Sequence, residues 1–218
     1  MMQRTRPAVD LKGLDAMRVA LGFKAHSGWA ALVAIGGRGT DVDVVDRRRV
    51  TLVGADTPWG KQPYHAARGL ARDRAREMVK RAIDAARDVA SRELRSVLAA
   101  LRAAQHDIVA CAVLTPPPMP DWSTDDILAV HIRMHKAEGV LFPAALCAAA
   151  EASGLTLVAI PEKTLDQQAA RSLAQPLGRL TSGIARLGAS VGPPWGQDQK
   201  KAALAAMVAL SSAADGAR

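Results

Sequence analysis

Apolar positions along the chain first alternate in short segments and then recur at helical spacing. Residues 17–24 and 28–36 are two apolar runs broken by His26-Ser27-Gly28, which predicts a β-hairpin. Lys24 lies inside the first run, so that strand carries a charge inward or to an edge. Gly36, Gly37 and Gly39 predict a turn, since glycine accepts positive φ without strain. DVDVVDRRRVTLVG follows, with Val42, Val44, Val50 and Leu52 at a period of two, a half-buried third strand. Three consecutive strands with short links make an antiparallel meander. Pro58, Gly60 and Pro63 punctuate a loop at 56–64. A helical pattern runs from His65 to Gln105, with Ile83, Ala86, Val89, Ala90, Leu94, Val97, Leu98 and Leu101 on one face and a charged opposite face. DIVACAVL is a continuous apolar run of the buried-strand type, ended by TPPPMP. Ser123 or Thr124 caps the next helix ahead of Asp125 and Asp126, and Gly154 closes it after Ser153. Leu155–Ile160 is a further strand, 165–188 is helical, GPPWGQ interrupts, and a last helix spans about Asp198 to Ala213. Residues 1–16 read as a flexible N-terminal arm and 17–218 as one domain. The order β-β-β-α-β-α-β-α predicts an α/β fold, with three antiparallel strands and then alternating helices and strands in a mixed sheet flanked by helices.

Composition changes this picture in two ways. Aromatic residues make up only 3% of the chain, so its core is built from Ala, Val, Leu and Ile. The formal net charge is +8, which directs attention to nucleic acid or another polyanion as partner, against a plain solubilising role for the same charges. Cys111 and Cys147 sit in apolar contexts and read as small core residues, neither disulfide nor metal pair. The absence of an apolar signal core and of a run of about 18 apolar residues predicts a cytoplasmic protein with no membrane partner.

Several groups of residues carry candidate chemistry. HIRMHKAE places His131, His135 and Glu138 at i, i+4 and i+7, on one helix face. Such an imidazole pair can chelate zinc with a third ligand such as Asp198, and the alternative is a plain polar stripe. The acid that adjoins the first histidine in zinc-protease helices is missing. His26, Ser27 and Asp198 could be set out as a nucleophile group, but Ser27-Gly28 reads first as a turn. Arg47, Arg48 and Arg49 form a basic cluster, with Arg47 and Arg49 on one strand face, suited either to phosphates or to guarding a sheet edge. Lys61, Lys163, Lys200 and Lys201 extend a basic rim. Trp59 and Trp195, in Pro/Gly loops, could stack on bases or anchor their loops; Trp29 and Trp122 are the remaining tryptophans. Gly36-Gly37-Arg38-Gly39 is not a phosphate loop, because the Gly-Lys-Ser/Thr ending and the following helix are absent.

The element order resembles the RNase H-like topology, and the chain looks like its Holliday junction resolvase branch over about Arg18 to Leu210. VALGFKAHSGWAALVAI is similar to the resolvase opening, a strand ending in Gly-Ile-Asp-Pro-Gly followed by a Thr-Gly-Trp-like strand. HKAEGVLFPAALCAAAEASGLTLVAIPEKTL resembles the resolvase helix-strand unit, and GQDQKKAALAAMVAL its closing helix. The phrases HSGWA, HKAEG and GPPWGQDQK are also similar to a bacterial branch that lacks the usual acidic residues. The resemblance implies carboxylates on the first strand, at the end of the fourth and at the head of the last helix, binding two divalent ions that activate water. This chain departs from that pattern: Lys24 stands at the first position, the fourth strand runs into Thr115 without an acid, and only Asp198 matches well. Three readings stay open. The first is a nucleic-acid-binding protein without conventional two-metal chemistry, using Arg47, Arg48, Arg49, Lys163 and Lys200. The second is a Mg- or Mn-dependent nuclease with a rebuilt site, its catalytic residues among Asp198, Glu138 and Lys24 and its ion on His135, Glu138 and Asp198. The third is a protein-interaction module, with a homodimer among its forms.

Overall fold

The computed structural model describes residues 16–38 and 41–215. The expected N-terminal arm and Gly39 therefore lie almost wholly outside the described residues. Strands β1 (Arg18–His26), β2 (Trp29–Arg38) and β3 (Asp41–Thr51) form the antiparallel meander. A 3₁₀ turn at Pro58–Lys61 and helix α1 (Pro63–Ala67) lead to helix α2 (Arg72–Ala103) and strand β4 (Asp107–Thr115). Helices α3 (Thr124–Leu128) and α4 (His131–Ala152) precede β5 (Thr156–Pro161) and a second 3₁₀ turn, Glu162–Thr164. Helices α5 (Leu165–Ser172), α6 (Leu177–Val191) and α7 (Gln197–Asp215) complete the chain. The sheet order is β3-β2-β1-β4-β5, with β1, β4 and β5 parallel. This is the mixed sheet that the element order predicts, three antiparallel strands followed by parallel ones, with the carboxyl ends of β1, β4 and β5 gathered on one edge.

Three predicted elements divide. The helix expected from His65 to Gln105 breaks between α1 and α2, where Gly69 takes φ +83°. The helix expected from Ser123 breaks after α3, and the one at 165–188 breaks before Pro176, which cannot continue an α-helix from the preceding turn. Ser123 is the N-cap as expected: its hydroxyl accepts from the Asp126 backbone N–H, and the Asp126 carboxylate accepts in return from the Ser123 N–H. The expected glycine turn is also displaced. Gly36 and Gly37 lie inside β2, and a Cβ on Gly37 would come within 2.3 Å of the Asp41 carbonyl oxygen, so the glycine admits close pairing with β3.

The two faces of the sheet carry separate cores. Val19, Leu21 and Phe23 of β1 pack with α2 and α4, together with Leu94, Leu98, Phe142 and Leu146. Ala20 of β1 and Val33 and Ile35 of β2 pack with α5, α6 and α7. A bulge in β3 switches its phase between the two. Val42 and Val44 face α7, whereas Val50 and Leu52 face α2 and α4, although all four share one sequence parity. The same bulge puts Arg47 and Arg49 on the α7 face, opposite Val33 and Ala31. Helix α7 is buried from Ala202 through Leu210, and its alanines bring it very close to β1. At Gly22 an added Cβ would lie 1.9 Å from the Ala202 carbonyl oxygen. Cys111 is buried in β4 and Cys147 partly so in α4; both thiols are free. Burial pushes both thiols up, Cys147 to about 11, consistent with inert core residues. No helix among the described residues is long and apolar enough to cross a membrane.

Candidate functional site

The last residues of β1 alternate, so Lys24 and His26 point to the face covered by α7. Lys24 Nζ donates to Glu162 Oε2 at 2.6 Å, and Lys201 Nζ donates to Glu162 Oε1 at 2.7 Å. Glu162 follows β5 directly, so one carboxylate ties β1, β5 and α7 together at the carboxyl edge of the sheet. The lysine in an apolar strand is thus explained by a partner that satisfies it. The Lys24 and Glu162 side chains keep 17% and 30% exposure, so the cluster is half-open to solvent. Burial pushes the Glu162 carboxyl up, but the hydrogen bonds and charges of Lys201 and Lys24 outweigh it and hold the group below the ordinary carboxylate range.

Beside this clasp, His26 Nε2 lies 2.9 Å from Asp198 Oδ1 at the head of α7. The contact is close but not aligned as a hydrogen bond, and Nε2 has no hydrogen-bond partner among the described residues. The His26 ring stacks on Trp29, its partner across the hairpin, at 4.5 Å between centroids and 16° between planes. The Arg49 guanidinium sits 3.8 Å from the centre of the Trp29 ring. A recess of about 310 Å³ adjoins this pair, lined by Trp29, Arg49, Thr51, Pro58 and Lys61 among others. Ser27 is an exposed residue of the two-residue turn, and Gly28 beside it takes φ +84°. Ser27 bonds neither His26 nor Asp198 among the described residues, so the turn reading holds.

The basic cluster separates by role. Arg47 Nη1 donates to the carbonyls of Gly192 at 2.6 Å and Pro194 at 2.8 Å, and Nη2 to that of Pro193 at 3.3 Å. Arg47 therefore holds the loop before α7 and is not a free phosphate ligand as expected. Arg48 is paired with Asp46 at 2.5 Å. It stands opposite Leu32, on the α2 and α4 face, whereas Arg47 and Arg49 share the α7 face as the alternation along the strand predicts, so Arg48 lies apart from the other two. Arg49, Lys61 and Lys163 are exposed, and Lys200 is half-buried on α7. Trp195 anchors its loop: the indole N–H donates to the Ile184 carbonyl at 3.0 Å and the ring fills the space above Gly188. Trp122 lies under Arg133, and Trp59 belongs to the first 3₁₀ turn.

Glu138 is elsewhere. It is on α4, on the opposite side of the sheet from Asp198, and is 5% exposed. Both its oxygens lie within 2.9 Å of His65 Nδ1, and Oε1 also accepts from the His65 backbone N–H at 3.1 Å. The set His135, Glu138 and Asp198 is therefore not assembled, and Glu138 and Lys24 share no site. What assembles instead is His65, His131 and His135, with one ligand atom of each lying within 4.8 Å of the others. His131 and His135, one turn apart, approach at 3.0 Å between their Nε2 atoms. Desolvation, then the charges of His135, His65 and Arg68, lower the His131 pKa from its ordinary value.

Magnesium or manganese does not fit the carboxyl edge. Hard cations need several oxygen ligands, and each of the two carboxylates here already faces a cationic or imidazole partner. Two lysines in the cluster repel a divalent ion further. A larger open groove of about 810 Å³ lies between the start of β3 and α6. It mixes Asp41, Asp43, Arg179 and Arg186 and holds none of the convergent groups described above.

No protein-family model matches the chain, and no curated protein matches it. Among solved structures, the chain is similar to Thermus thermophilus RuvC in complex with Holliday junction substrate. That likeness has a TM-score of 0.48 and 14% identity, over 91% of this chain and 96% of the other. A second Thermus thermophilus RuvC structure matches at a TM-score of 0.48 and 12% identity, with the same shares covered.

Proposed function

We propose that this protein binds nucleic acid through the carboxyl edge of its sheet, without two-metal nuclease chemistry. The observation that carries the reading is the Lys24–Glu162–Lys201 clasp. It converts the edge of the central parallel strands, where α/β sheets place their ligand sites, into a surface of net positive charge. Around it Arg49, Lys61, Lys163 and Lys200 are available to phosphate oxygens, while Arg47 fixes the loop that positions α7. Arg49 also lies over the Trp29 ring, which holds its guanidinium at this edge.

Fluorescence anisotropy with labelled branched, duplex and single-stranded oligonucleotides, DNA and RNA, tests this. Binding that tightens as salt falls is expected, because each neutralised phosphate releases counterions. No binding to any of them at low salt removes the proposal.

A further inference from the structure

The histidine cluster on the far side of the sheet is independent of the basic edge. Of the five histidines in the chain, three converge here from two separate segments. Their rings stand 4.5, 4.6 and 5.1 Å apart between centroids. His131 and His135 come from the first two turns of α4, and His65 comes from α1, so the cluster bridges the connection after the meander to the long helix. Beneath it, Tyr64, Ala67, Met134 and Ala137 pack into one apolar cluster that fixes both backbones.

Glu138 supplies the second observation. A carboxylate only accepts hydrogen bonds, so its contact with Nδ1 puts the His65 ring proton there and leaves the neutral ring's lone pair on Nε2. The backbone N–H of His65 adds a third contact to the same carboxylate. A buried acid that grips one ring nitrogen of a histidine is the arrangement that orients imidazole toward a metal. Tetrahedral zinc holds its nitrogen ligands at about 2.0–2.1 Å, which spaces them about 3.3 Å apart. The His131–His135 nitrogens at 3.0 Å and the whole group within 4.8 Å reach that spacing with small side-chain movements.

We propose that His65, His131 and His135 form a binding site for zinc or a similar divalent transition-metal ion, with Glu138 as the positioning residue. Three neutral nitrogens select such an ion over magnesium or calcium. Three protein ligands leave a fourth position to water or another small ligand. His131 and His135 are exposed, so an ion can reach the site from solvent.

The test uses the untagged full chain, stripped with chelator and titrated with zinc chloride by calorimetry, then with cobalt(II) for its visible spectrum. One equivalent of zinc is expected, with affinity at least 100-fold weaker in His135→Ala and in His131→Ala. These side chains are exposed, and circular dichroism checks that the variants fold. His106→Ala, the control, binds as the wild type does. Glu138→Gln is expected to weaken binding 10- to 100-fold and to change the cobalt spectrum. No saturable zinc binding by the wild type, or undiminished binding by both α4 variants, overturns the site. Unchanged affinity and spectrum in a folded Glu138→Gln overturns the positioning role.

Discussion

Replacing Gly22 by alanine sets one methyl group against the main chain of α7. The added Cβ would lie 1.9 Å from the Ala202 carbonyl oxygen and 2.8 Å from the Ala206 amide nitrogen, both main-chain atoms of α7. No rotamer change relieves a clash between two backbones. Helix α7 must retreat by about 1.5 Å to bring the nearest contact to an ordinary 3.4 Å. A gap of roughly 0.5–1 Å already forfeits a quarter to a half of the dispersion energy of a packed pair. The penalty here spreads along the buried run Ala202–Leu210. Overpacking of cores costs about 1–3 kcal/mol, and a rigid backbone on both sides places Gly22→Ala at or beyond the upper end, about 3 kcal/mol. For a chain of this size that lowers the thermal midpoint by about 6–12 °C. Urea unfolding followed by circular dichroism measures the cost directly. A loss below about 1 kcal/mol would refute the close packing of α7 on β1.

Two further outcomes follow from the carboxyl edge. Glu162 has its pKa lowered by the two lysines, so it contributes stability above its ordinary value of 4.5 and loses that contribution as pH falls through the lowered one. Lys24→Met should therefore cost about 1–2 kcal/mol at neutral pH, and the difference from wild type should shrink on acidification below that range. A cost that stays constant with pH would contradict the clasp. Arg47→Ala should lower stability by about 2 kcal/mol, since it strips three carbonyl contacts from the 192–194 loop, and proteolysis at that loop should quicken. Unchanged stability and cleavage would return Arg47 to the free basic surface.

The element order was legible because period-two and helical spacings differ so plainly, and because TPPPMP and Gly154 end their segments sharply. The β3 bulge was not: Val42, Val44, Val50 and Leu52 keep one parity in the sequence, and only pairing with β2 shows the phase change. Helix breaks were missed where alanine-rich segments continue the pattern past Gly69 and Gln175. At the site, Lys24 and Asp198 were identifiable as members of one edge. Glu162, the partner of Lys24, was not, since it meets the lysine through tertiary packing, and His26 was set beside Asp198 only within a nucleophile group that includes Ser27. One signal for Glu162 was present: an acid immediately after a buried parallel strand, where ligand sites gather. His65 escaped notice because it stands at the head of a long helical pattern, far upstream of His131 and His135. The i, i+7 spacing of Glu138 pointed to a ligand, whereas the structure makes it the partner of His65.

The slope of binding affinity against salt, measured for wild type and for Arg49→Gln/Lys163→Gln on one duplex, tests the proposed function most directly. Both side chains are exposed, so the variant keeps the fold. If they meet phosphates, binding weakens and the slope of log affinity against log salt falls by about 2. An unchanged slope and affinity would contradict nucleic-acid binding at this edge.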